Sequence, residues 1–345
     1  AVYGRYALLK FGTIRIDGVD RSGTGTASKG LSINEIAGPC KIDTLHVSNV
    51  LATGFAADAD GVSIFGRDIA GTYATRGGSV TINNLVVEDC QGRSLKCQTQ
   101  NIVVQNLTIK RKMVVSFNVP DVDFQTGDGT VMRALIDIRK NGATSPLDAG
   151  YYPFEVQQRC TDNPNRCRIA NVVLRSEVGM VRLANITVGA TSLDGETYVE
   201  DVQLQPIGAF ATTFFTRCAV EFDATQVAAS SYKTHISVMA VRGNMANVPI
   251  IGHTGYTTGV TNVATKLSVE CIDNENTGTV GANNRVAYPT SGNEVTQMLK
   301  SLFRDNFGFI DRMAADWTFD YMTLAVGTRF TYVRATAVPS NGPVI

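Results

Sequence analysis

A six-residue phrase recurs along this chain: apolar, any residue, Asn or Asp, apolar, any residue, apolar. It stands as Ile82-Asn83-Asn84-Leu85-Val86-Val87 and again as Val104-Gln105-Asn106-Leu107-Thr108-Ile109, with every apolar position kept between residue 82 and residue 104. Looser copies begin at Ile42, Ile169, Leu183 and Val199. Self-similarity at about 20–30 residues is the mark of a solenoid, and apolar residues spaced by two make each copy a strand rather than a helical turn. The phrase therefore predicts a parallel β-helix with coils of about 20 residues. On that spacing the 40 residues from Ile42 to Ile82 hold nearly two repeats, with residues 62–65 marking the middle one.

The predicted organisation is all-β: a right-handed parallel β-helix over 1–205, followed by a smaller C-terminal β-rich region over 206–345 that caps the solenoid or packs against copies of itself in an oligomer. Residues 120–165 are rich in turn formers and read as a loop excursion. After residue 169 the phrase returns at steps of 14 and 16, too short for a full coil, which suggests a narrowed stack or antiparallel hairpins. One segment departs from the β pattern. Val295, Met298, Leu299, Leu302, Phe303, Phe307, Ile310 and Met313 recur mostly at three and four, which predicts an amphipathic helix over about 294–316, with Ser291 or Asn293 as its N-cap. A strand pair over 319–324 and 329–333 closes the chain.

Composition narrows the function. Hydrophobic residues make up 44% of the 345, enough for a large core, whereas charged residues reach only 18%, below the roughly 25% of ordinary domains. With 31 basic and 31 acidic side chains, nothing global points to nucleic acid or a membrane surface. No uninterrupted apolar run reaches the length of a membrane span. The start, Ala1-Val2-Tyr3-Gly4-Arg5, has neither an initiator Met nor a signal-peptide pattern and reads as a piece of a longer chain. The seven cysteines lack zinc-site spacing, and no metal or other cofactor is expected. Cys160 and Cys167 are placed to close a loop; the alternative, favoured here, is that all are free thiols buried between strands, in a protein assembled in a reducing cytoplasm.

Charged clusters precede three successive strand segments: Asp58-Ala59-Asp60-Gly61, then Glu88-Asp89-Cys90 with Arg93, then Lys110-Arg111-Lys112. In stacked coils such clusters form a column at one corner, a groove suited to a polymer. Carboxylates from neighbouring coils fit glycoside hydrolysis, one protonating the leaving oxygen and the other attacking or activating water. The candidate catalytic residues are accordingly Asp60, Asp89, Glu88 and Asp58. Arg93, Lys96, Lys110 and Arg111 are candidate substrate contacts that would hold a uronate or sialate carboxylate, and Tyr73 is a candidate for stacking on a sugar ring. In a lyase, Lys or Arg would instead abstract a proton. The plainer alternative is that Asp before a strand is an ordinary turn residue.

The repeats, Asp58-Ala59-Asp60-Gly61 and Val87-Glu88-Asp89-Cys90 resemble the right-handed β-helix superfamily of carbohydrate-active proteins. That group includes polygalacturonase-like hydrolases, pectate-lyase-like enzymes and bacteriophage tailspike depolymerases. Asp60-Gly61 and Asp89-Cys90 match half of each of the two acidic polygalacturonase motifs, while the family's His-Gly and Arg-x-Lys elements are missing. The chain as a whole is more similar to a tailspike. That resemblance implies a homotrimer on the virion tail, joined to other tail proteins through a region N-terminal to this chain. It also implies binding and depolymerisation of a bacterial capsule, exopolysaccharide or lipopolysaccharide, with no nucleic acid and no membrane insertion. A lyase, a non-cleaving adhesin and a structural virion protein are the alternatives.

Overall fold

A computed structural model describes residues 2–3, 8–22, 28–34, 36, 38–53, 59–66, 78–98, 101–113, 119–125, 127–158, 166–188, 195–208, 214–223 and 234–243. Beyond these it gives the backbone of short strands between 251 and 324. Every named strand pairs in parallel, in two sheets of 10 and 14 strands that the chain visits alternately. Passing from one sheet to the other and back completes a coil. This is the all-β, stacked parallel architecture of a β-helix.

The recurring phrase is the long sheet's strand. Phe11, Ile42, Ile82, Val104, Val131, Ile169, Val199 and Val238 are successive register partners, one per coil. Leu45, Leu85, Leu107, Ala134, Val172, Val202 and Val241 form a second column three residues on. All of these from Ile42 onward are buried, stacked as columns at the roughly 4.8 Å spacing of paired strands. The two columns sit three apart because the strand bends between them. In Val80–Glu88 the bend exposes Asn83 and Asn84 together. At the same place in Arg166–Ser176 and Gly195–Pro206, Asn171 and Asp201 take positive φ, at 51° and 53°. Asn and Asp tolerate that left-handed conformation better than other residues with a side chain. The carboxamides also tie coil to coil: Asn84 Nδ2 donates to Asp43 O at 3.2 Å, Asn106 to Asn83 O at 3.1 Å and Asn171 to Met132 O at 2.9 Å. The Asn of the phrase marks a bend.

Several expectations change. The span from Ile42 to Ile82 is a single coil, because Asp60–Phe65 lies in the short sheet opposite. The steps of 14 and 16 have the same cause. The copy at Leu183 is a short-sheet strand, Ala184–Val188, so 169 to 199 is one 30-residue coil, parallel throughout. Most of 120–165 is not an excursion: Val122–Phe124, Gly129–Val131, Ala134–Ile138 and Phe154–Gln158 all pair within the two sheets. Both sheets also continue past residue 206, through Val220–Asp223, Thr234–Gly243 and Leu267–Ile272. Thr296–Arg304 pairs in parallel with Leu267–Ile272. Residues 305–316 and the expected strand at 329–333 lie outside the described residues, while Trp317–Phe319 and Met322–Leu324 pair in parallel with Thr296–Arg304. Cys40, Cys90, Cys97, Cys167 and Cys218 are buried free thiols; Cys160 lies outside the described residues.

Candidate functional site

The short sheet carries its own repeat: apolar, polar, apolar. Leu31-Ser32-Ile33, Val62-Ser63-Ile64, Leu95-Lys96-Cys97, Val122-Asp123-Phe124, Phe154-Glu155-Val156, Ala184-Asn185-Ile186 and Val220-Glu221-Phe222 are aligned by register. Alternation along a strand sends the first and third residues of the described triplets toward the core and the middle one to the opposite side of the sheet, where Ser63, Asp123, Asn185 and Glu221 are nonetheless buried and Ser32, Lys96 and Glu155 are half-buried. The middle residues form one row along the solenoid axis: Ser32, Ser63, Lys96, Asp123, Glu155, Asn185, Glu221.

Asp123 and Glu155 are direct register partners, so their Cα atoms stand about one strand spacing, roughly 4.8 Å, apart. Asp123 is fully buried; its Oδ2 accepts from Arg93 Nε at 2.9 Å and Gln125 Nε2 at 2.8 Å, and its Oδ1 from Gln157 Nε2 at 3.0 Å. Burial pushes the Asp123 carboxyl above its ordinary range, against the pull of Arg93, so proton loss here is harder than in water. Half-buried Glu155 accepts from the Tyr152 hydroxyl and from Thr187 Oγ1 at 3.2 Å. Burial and Glu155 raise the Tyr152 pKa, keeping that phenol a donor. Arg182 stacks over the Tyr152 ring, 4.7 Å from its centroid, and pairs with Glu221. Within this row the half-buried Ser32, Lys96 and Glu155 are the members within reach of a ligand, with the buried acids Asp123 and Glu221 behind them.

Part of the corner expected from the sequence feeds this row. Buried Asp60, opening Asp60–Phe65, pairs with Lys29 and accepts from Ser63 Oγ at 3.1 Å, with Arg93 Nη1 at 3.6 Å. Arg93 thus bridges Asp60 to Asp123. Gly61 is required here, because a Cβ would stand 2.9 Å from Ser94 O and from Val87 Cγ1. Lys96 is a member of the row, its ammonium 5.7 Å from the Phe65 ring centroid.

The remaining expected residues are engaged elsewhere. Asp89, at φ 49°, accepts from the Lys112 and Met113 amides at 2.6 and 3.0 Å and braces a turn. Glu88 and Lys110 pair at 2.6 Å on the long sheet, with His46 3.5 Å from Glu88. Arg111 is buried in the corner, bound to Asp121 and to the carbonyls of Cys90 and Gly92. Asp121 also accepts from Tyr151 Oη and, at 2.7 Å, Ser94 Oγ. Burial opposes the Arg111 charge and Asp121 more than offsets it, raising that pKa. Asp58 and Tyr73 lie outside the described residues.

Sequence reasoning missed Asp123, Glu155, Arg182 and Glu221. The repeated apolar–polar–apolar triplets, with an acid at the middle of three of them, were the available signal. No family model matches the chain, no curated protein matches it and no solved structure matches it.

Proposed function

We propose that this chain is a phage tailspike, a virion homotrimer folded in the host cytoplasm, that binds and hydrolyses a bacterial surface polysaccharide along the short-sheet row. The observation that carries this reading is the in-register pair Asp123 and Glu155, one strand spacing apart on the outer face of a solenoid. Retaining glycosidases hold their two carboxyl groups about 5–5.5 Å apart, a separation that side chains rising from Cα atoms one strand spacing apart can adopt. In this scheme Glu155 attacks the anomeric carbon while Asp123, whose carboxyl burial pushes above its ordinary range, serves as the acid that donates a proton to the leaving oxygen. Water, deprotonated by Asp123, then releases the sugar from Glu155, and the anomeric configuration is retained.

Incubating the chain with polysaccharides from a panel of capsulated strains tests this. Oligosaccharides should be released, with Glu155→Gln and Asp123→Asn each slowing release by about 10²–10⁴-fold. Release unchanged in both variants would remove the site. A second reading, a non-cleaving adhesin, draws on one observation: every carboxylate of the row already carries internal hydrogen bonds or ion pairs. Binding without release in the wild type would select it.

A further inference from the structure

The row's charge pairing bears on which sugars it takes. Arg93 is shared between Asp123 at 2.9 Å and Asp60 at 3.6 Å. Arg182 is held by Glu221 and by Asn185 Oδ1 at 3.1 Å, and Arg217 stands 3.1 Å from Glu221 Oε1. The three carboxylates in these pairs are fully buried. An incoming uronate or sialate would have to draw a guanidinium away from one of them, stranding a buried anion in a low-dielectric setting. What the row leaves unmet is single hydrogen bonds on groups that are neutral or whose charges are already paired. The Gln157 Oε1 acceptor, beside Asp123, the Arg182 Nε donor, beside Asn185, and Glu221 Oε1, ion-paired with Arg217, are buried and make no hydrogen bond among the described residues. A sugar hydroxyl both donates and accepts and can serve any of them.

We propose that the row recognises a neutral, hydroxyl-rich stretch of polysaccharide and not a uronate- or sialate-bearing one. This inference rests on the polysaccharide reading above. It also assigns cleavage to hydrolysis, since β-elimination requires a carboxylate α to the proton removed, and a neutral sugar has none.

The test is affinity electrophoresis of the full chain through gels containing dextran, mannan, polygalacturonate, alginate, and the last two after carboxyl reduction to neutral sugars. Retardation by at least one neutral or carboxyl-reduced polymer, and by neither acidic parent, is expected. Retardation by an acidic parent equal to or greater than by its reduced form overturns the neutral assignment while leaving polysaccharide binding standing. No retardation by any polymer overturns both.

Discussion

Asp121 and Asp123 are two residues apart, both fully buried and both paired with an arginine, yet they sit in different kinds of site. Asp121 belongs to a closed corner: Arg111, Tyr151 and Ser94 supply its donors, and Arg111 spends its remaining hydrogens on the Cys90 and Gly92 carbonyls. Arg111, Asp121, Tyr151, Ser94 and Cys90 are each within 1% of complete burial. Asp123 belongs to an open row, in register with half-buried Glu155 and beside a Gln157 acceptor left unmet among the described residues. Burial of charge alone therefore does not mark a site. A sealed network spends its hydrogen-bonding capacity on the fold, whereas an incompletely satisfied one beside partly exposed acids keeps some for a ligand.

The sharpest way to break this comparison is Arg111→Met. It leaves Asp121 as an uncompensated buried charge, and thermal or urea unfolding should show a loss of about 3–5 kcal/mol. The double variant Arg111→Met with Asp121→Asn should recover a large part of that loss. A single variant as stable as wild type would mean that the corner does not lock the coils together.

Gly61→Ala probes the same corner from the backbone side. The new methyl would meet Ser94 O and Val87 Cγ1, and a crowded core site of this kind typically costs about 1–3 kcal/mol. Urea midpoints read the effect, and an unchanged midpoint would show that the Asp60–Phe65 coil can slide outward freely.

These two regions also show how legible the chain was. The long sheet was readable because its strands run nine to fourteen residues and carry an Asn-marked bend, so the phrase survives in full. The short sheet was not, since Val122–Phe124 offers three residues and Leu95–Gln98 four, below the length at which alternation stands out from turn sequence. For that reason Asp123 and Glu155 fell inside what reads as a loop, while Asp60, Arg93 and Lys96 were found by their nearness to a Gly-containing turn. Arg111 was misread because charge in sequence suggests exposure, and its burial depends on Asp121 and Tyr151, 10 and 40 residues away in the chain.

On the open side of the comparison, the pH dependence of stability carries the signature of Asp123. Its carboxyl is raised in the folded state, so the fold holds that proton more tightly than the unfolded chain does. Its contribution is most favourable below the ordinary carboxylate range, falls as pH rises from that range to the raised value, and is constant above it. Asp123→Asn should flatten this component of the melting temperature as pH rises above the ordinary carboxylate range. An identical pH profile in wild type and variant would place Asp123 among ordinary carboxylates and remove its suitability as an acid.

The smallest effect belongs to Glu88 and Lys110, which test whether a surface pair on the long sheet matters at all. The Lys110 hydrogen bond lowers the Glu88 pKa, so the stabilisation is present above the ordinary glutamate range and is lost as pH falls through the lowered value. Lys110 is 54% exposed and Glu88 29%, which lets water and salt screen the attraction. Glu88→Gln should therefore cost less than about 1 kcal/mol at neutral pH, and the difference from wild type should vanish in strong acid or about 1 M salt. A larger cost that persists in high salt would mean that the pair works as the Arg111 corner does, by holding coils in register, and the division between sealed structural charge and solvated charge would have to be redrawn on this face.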